Sequence, residues 1–187
     1  RLFDARRRPR RIRHPQPRAT VKLWIALALI LAGAWHWWEA RPLAQAPGVL
    51  VPAAPLQQAV TEPRPNLQKP KYRLEPLARF EVTARVLRSE RYRFDRGADL
   101  APVDLALGWG RMSDSSVLDR VNITQGGRFY YWSVREFPIP RGEIESSSAN
   151  MHMVPATAAV ASQLNSLRRG EIVQLTGYLI EARGTDG

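Results

Sequence analysis

Histidine is the side chain best suited to moving protons near neutral pH, and this 187-residue chain has three: His14, His36 and His152. His14 falls in an arginine-rich tail and His36 in an apolar run, so His152 alone remains for a folded domain. The chain has no cysteine, which excludes disulfides, iron–sulfur clusters and thiol nucleophiles. One histidine without cysteines cannot build a His-rich or thiolate zinc site, so no metal and no cofactor are expected. A Ser–His–Asp arrangement can be drawn from His152, one of Ser146, Ser147 and Ser148, and either Asp104 or Asp119. No nucleophile-elbow spacing accompanies it. A Ser–Lys pair has little to draw on, because no lysine follows Lys71. Asp99 and Asp104 are the candidates for a glycosidase-like carboxylate pair.

Gly108-Trp109-Gly110 lacks the Lys-Ser/Thr of a phosphate loop. It reads as a tight turn with a packed tryptophan, or as an aromatic platform for a partner or sugar. Arg128 precedes Phe129-Tyr130-Tyr131-Trp132, residue types that stack on bases. Neighbours in a strand point to opposite faces, so these rings cannot all share one surface. Trp109, Arg128, Asn150 and His152 are the residues expected at a partner or ligand surface. Asn122-Ile123-Thr124 has the form of a glycosylation sequon, expected to be idle in a bacterial protein.

The elements that would position these residues follow from periodicity. Phe80, Val82, Ala84 and Val86 alternate with Glu81, Thr83, Arg85 and Leu87, as in a half-buried strand. Ser113 or Asp114 caps a predicted short helix with Val117, Leu118 and Val121 on it. Gly126-Gly127 is a turn signal before the strand formers 128–134. Residues 143–154 read as extended. Pro155 starts a helix with Val160, Leu164 and Leu167 on one face, and Gly170 caps it. Ile172 to Ala182 is the strongest strand pattern. Strands, a helix and a long strand together resemble a partly open OB-like barrel in a small mainly-β (α+β) domain with one helix. Thr185-Asp186-Gly187 reads as the start of a hairpin turn, so a returning fifth strand is expected beyond this sequence. Without it the 172–182 edge stays unpaired.

Leu23 to Trp38 contains no Asp, Glu, Lys or Arg. As a helix it is about 24 Å long, at the short end for a hydrocarbon core of roughly 30 Å. Val21 extends it, Lys22 can snorkel, and Trp35, Trp37 and Trp38 sit where interfacial aromatics do. Residues 21–38 are therefore expected to be a transmembrane signal anchor. Ala44-Gln45-Ala46 has the form of a cleavage site, but Pro47 follows it, and an uncleaved anchor is favoured. Eight prolines between residues 39 and 76 predict an extended linker. Residues 77–187 are then the β-rich domain.

The net charge of +11 comes from 28 Lys+Arg and 17 Asp+Glu. Residues 1–22 hold nine of the basic side chains and one acid, Asp4. Residues 39–187 hold 19 basic and 16 acidic groups, a balance that gives no footprint for nucleic acid. Residues 1–20 are expected to be a disordered basic tail, kept cytoplasmic by the positive-inside rule. The rest would face the periplasm of a bacterium.

The runs Asp95-Arg96-Gly97-Ala98-Asp99-Leu100-Ala101-Pro102-Val103-Asp104-Leu105-Ala106-Leu107-Gly108-Trp109-Gly110, Ser148-Ala149-Asn150-Met151-His152 and Arg169-Gly170-Glu171-Ile172-Val173-Gln174-Leu175-Thr176-Gly177-Tyr178-Leu179, with a leader ending His36-Trp37-Trp38, resemble a family of uncharacterised bacterial single-pass envelope proteins. The resemblance spans about residues 21–187. It implies a membrane-anchored periplasmic protein, a chain continuing past residue 187, and no catalytic residue. The sequence thus leads to an inner-membrane, single-pass binding or assembly module with the lipid bilayer and envelope proteins as partners. An envelope serine hydrolase using His152 is the alternative. An OB-like domain binding oligonucleotides or glycans is a weaker one.

Overall fold

A computed structural model describes residues 17–39, 41–61 and 65–185, with the side chains of residues 17–20, 36 and 39 left aside. The expected basic tail, up to residue 16, and the hairpin turn at Asp186-Gly187 lie outside the described residues. The chain forms two compact units, 1–40 and 41–187.

In the first unit, α1 runs Pro17–Glu39. Its apolar side chains are exposed on every side, from Val21, Leu23 and Trp24 through Leu29, Ile30 and Leu31 to Trp35, Trp37 and Trp38. Among the described residues no helix is long and apolar enough to cross a membrane. The unbroken series of described side chains, Val21 to Trp35, spans roughly 22 Å against a core of roughly 30 Å.

The second unit is mainly β, with few helices and an open sheet. Its spine is β3, Tyr72–Arg91, a strand of 20 residues. On one side it pairs in succession with β2 (Gln68–Lys69), β1 (Leu56–Ala59) and β4 (Val103–Gly108). On the other side lies β8, Ile172–Gly184, antiparallel from Tyr72↔Gly184 to Arg85↔Ile172. β4 pairs with β7, Ser148–Met153. Two irregularities bend β3. Pro76 has no amide proton, and the β3–β8 register shifts between Pro76 and Ala78. A second shift, between Val86 and Arg88, leaves Leu87 as the extra residue of the β3–β4 ladder.

β5 (Val121–Gly126) and β6 (Phe129–Val134) form a separate two-stranded sheet. It packs with a 3-10 turn, Gly110–Ser113, and two helical turns, α2 (Ser115–Leu118) and α3 (Arg141–Ser146). The core is accordingly double. Val82, Ala84, Val86, Val103, Leu105, Leu107, Trp109 and Val173 bury on one face with Leu164 of α4, Ala158–Ser166. Leu87, Ala106, Met112, Val117, Leu118, Val121, Ile123, Ile139 and Ile144 bury on the other. β4 lies between them and is buried at every position, which is why its sequence lacks alternation.

Several expectations change. The proline-rich stretch is not a free tether over its described length. Leu43 N donates to Arg169 O at 2.8 Å, Gly110 N donates to Val51 O at 2.7 Å, and Val51 N donates to Ser113 Oγ at 3.0 Å. Val51 is in the core and β1 is an edge strand of β3. Prolines lack a donor, but the residues between them keep theirs and dock the strap along the domain. Residues 143–146, the start of the stretch expected to be extended, lie in α3. Val121, expected on a helix, opens β5. The short helix predicted after Ser113 or Asp114 is α2, capped by Asp114, and α3 and the 3-10 turn add to the helices predicted. Helix α4 takes its cap from Thr157, whose side chain accepts from Val160 N, and ends at Ser166. Gly170, predicted as its left-handed cap, has φ +93° beyond it.

Candidate functional site

The pleat of the sheet brings three of the four predicted surface residues together. His152 on β7 lies opposite Asp104 on β4, which lies opposite Glu90 on β3. Two residues back, Asn150 lies opposite Ala106 and points to the same face. That face is roofed by the β5–β6 hairpin, and Arg128 sits at its tip.

The hairpin loop is Gly127-Arg128, between the last pair Gly126↔Phe129. Both residues have positive φ, 59° and 72°, as a two-residue turn that follows strand twist requires. A non-glycine residue held there carries a local backbone cost, and the Arg128 side chain is what offsets it. Its guanidinium grips Asp95 with two bonds, Nε to Oδ2 at 2.6 Å and Nη2 to Oδ1 at 2.7 Å. Nη1 donates to Ala101 O at 2.6 Å and to Asp104 Oδ1 at 3.1 Å. The ring of Tyr92 lies 3.8 Å below the guanidinium carbon, a cation–π contact. The Tyr92 hydroxyl oxygen accepts the Arg128 backbone N–H at 3.1 Å.

Asp104 has no exposed surface. Its Oδ1 also lies 2.9 Å from His152 Nδ1, so one carboxylate oxygen bonds Arg128 and sits beside the imidazole. Its Oδ2 is buried without a partner. Gln125 Nε2 donates to Asn150 Oδ1 at 2.7 Å, and Asn150 Nδ2 donates to Arg128 O at 3.2 Å. The hydrogen bonds from Arg128 hold the Asp95 carboxyl below its usual value, against the opposing effect of desolvation. The same pair, Asp95 first, raises the Arg128 guanidinium. Burial pushes the Tyr92 phenol up.

The histidine is oriented like the base of a charge-relay pair: Nδ1 faces the carboxylate and the side chain is 53% exposed. What a hydrolase further requires is a nucleophile at Nε2. The serines are elsewhere. Ser148 Oγ is 2.6 Å from both Tyr130 Oη and Ile144 O, four residues along β7 from His152 and thus about 13 Å away. Ser147 O accepts from Trp109 N at 2.9 Å, in the same distant corner. Asp119 lies in another cleft, beside Arg85. Asp99 is engaged by Tyr72 Oη at 2.7 Å and Lys71 Nζ at 3.2 Å, apart from the Asp104 cluster.

Comparison with known proteins returns no match: no family model, no curated protein and no solved structure aligns with this chain. Among the described residues no group of three or more His, Cys, Asp or Glu side chains is placed to hold a metal. Trp109, the fourth predicted surface residue, is 8% exposed and belongs to the core, so its ring offers no platform. On the outer face of β6, Phe129 and Tyr131 are open, with ring centres 6.5 Å apart. Tyr130, Trp132 and Val134 pack inward, as the alternation predicts. Sequence reading missed Asp95 and Tyr92. Their signal was available only in combination: an acid and an aromatic in one loop, and an arginine in a two-residue turn.

Proposed function

We propose that this chain is a membrane-anchored periplasmic module that assembles with protein partners through the free edge of β8. The observation that carries it is that β8, 13 residues long, is paired only to β3 among the described residues. Its second edge presents a row of backbone donors and acceptors. Such an edge takes an extended segment of another protein as an added strand, with main-chain bonds supplying affinity. No lysine or proline guards it between Ile172 and Gly184, and Tyr178 and Leu179 stay open for side-chain contacts. The anchor reading rests on the run Leu23–Trp38, on apolar side chains exposed around α1, and on the asymmetric arginines before it. Residence in the inner membrane with the domain outside follows from that reading, as it does from the resemblance to envelope proteins.

The hydrolase alternative has the Asp104–His152 pair in its favour and the distant serines against it. The OB-like oligonucleotide or glycan reading has exposed Phe129 and Tyr131, but little net charge to attract a polyanion.

The test is a pair of proline variants of the full chain, Gly177→Pro and Tyr178→Pro. Adjacent strand amides point to opposite sides, so one variant breaks the β3 ladder and the other removes an outward donor. After mild crosslinking in cells, the outward variant is expected to lose the crosslinked species while keeping the wild-type Tm. Retention of that species by both folded variants overturns strand addition.

A further inference from the structure

A second cleft lies away from the Arg128 cluster, between the docked strap and the sheet. It has a volume of about 380 Å³. Residues 42–45 form one wall, and Arg85, Asp119 and Arg169 share the opening with the apolar Leu118 and Ile123 beneath. The strap is fastened by three bonds, two to residues 169–170 and one from Ser115. Leu43 N donates to Arg169 O at 2.8 Å, Gln45 Nε2 donates to Gly170 O at 2.8 Å, and Ser115 Oγ donates to Gln45 O at 2.9 Å.

Arg85 is the unusual member. It is 8% exposed, and buried guanidinium groups ordinarily have a carboxylate partner. Arg85 has none within ion-pairing distance among the described residues. One nitrogen, Nη1, donates to Ser113 O and Ser115 Oγ, both at 2.9 Å. The other nitrogens make no bond within the described structure. A second arginine, Arg169, is exposed at the same cleft and likewise has no carboxylate partner there. Burial first, and the positive charge of Arg169 second, lower the pKa of Arg85, while Asp119 and Asp114 oppose this. Two guanidinium groups thus face one cleft against a single lining carboxylate, Asp119, with an apolar floor. The wall residues are placed by backbone bonds, so the cleft is formed in advance.

We infer that this cleft binds a small organic oxyanion, a carboxylate with a short apolar tail, its head held by Arg85 and Arg169 and its tail against Leu118 and Ile123. A guanidinium presents a planar fork of donors that matches a carboxylate, and pockets combine such polar anchors with apolar lining. This goes beyond assembly at β8, since the cleft shares no residue with that strand.

The experiment is a titration of the full chain in detergent with hexanoate, acetate and inorganic phosphate, read by Tm and by calorimetry. Hexanoate is expected to raise Tm saturably, and acetate to bind at least three-fold more weakly for want of a tail. Arg169→Gln, an exposed change that leaves the fold in place, is expected to weaken hexanoate at least ten-fold. Asp119→Asn, which removes the competing carboxylate, is expected to tighten it. Absence of saturable binding by hexanoate overturns the inference. So does equal stabilisation of the wild type and the Arg169→Gln variant, or tighter binding of phosphate than of hexanoate.

Discussion

Asp104 is a fully buried carboxylate whose Oδ1 bonds Arg128 and lies beside His152. Removing it leaves Arg128 Nη1 without its carboxylate, while Asp95 still holds the rest of that guanidinium. Asp104→Ala is expected to cost about 1–3 kcal/mol, the range for leaving a hydrogen-bonding partner unsatisfied. Asp95, outside the core, behaves differently with pH. Its folded pKa lies below the usual 3.8, so its contribution is fully present above about pH 4 and is lost as pH falls through the lower folded value. Urea titrations should therefore show wild type and Asp95→Asn differing at pH 7 and converging toward about pH 2. A difference that stays constant with pH would refute the Arg128–Asp95 account. At this scale the sequence was partly legible. Asn150 and His152 share a face because they are two apart in a strand, and that much periodicity predicts. That Arg128 joins them depends on where the β5–β6 hairpin folds back, which no local pattern encodes. Trp109 was misplaced for the converse reason: flanking glycines look the same around a buried ring and an open one.

At the scale of elements, Gly170 shows how one residue type serves two purposes. A glycine after a helical pattern reads as a cap, yet α4 has already ended at Ser166. Gly170 is glycine because φ is +93° and because a Cβ there would overlap the Leu43 carbonyl. Its own N–H donates to Val86 O at 2.7 Å, so the chain cannot retreat. Gly170→Ala is expected to displace the strap. Limited proteolysis should then cut within residues 41–50 at least ten-fold faster than in the wild type. Unchanged cleavage would mean that the strap is not held at Gly170. Strands β3, β6 and β8 were legible because each has one clear face or a run of strand formers. β4, α3 and β5 were not. β4 is covered on both faces, and α3 is a short helix fixed by packing of Ile144 rather than by its own periodicity. Local propensity is weakest where tertiary contacts decide.

For the whole molecule, the layout separates three surfaces with different chemistry. The hairpin clamp at Arg128 is internally satisfied apart from Asp104 Oδ2 and Gln125 Oε1. The cleft at Arg85 carries uncompensated positive charge. The β8 edge offers backbone. The open sheet and the unpaired second edge of the final strand were anticipated from the sequence, because a long strand pattern followed by a turn signal calls for a partner on its second side. The strap was not, since prolines speak only about which amides are missing and say nothing about where the remaining ones bond. The assembly proposal depends on where this domain resides. The most direct measurement is the activity of alkaline phosphatase fused after Thr185 in a bacterial host, compared with a cytoplasmic reporter at the same position. The account predicts an active phosphatase and a silent cytoplasmic reporter, both reversed when the arginines of residues 6–13 are moved to follow Trp38. An inactive phosphatase with a fully active cytoplasmic reporter would contradict it.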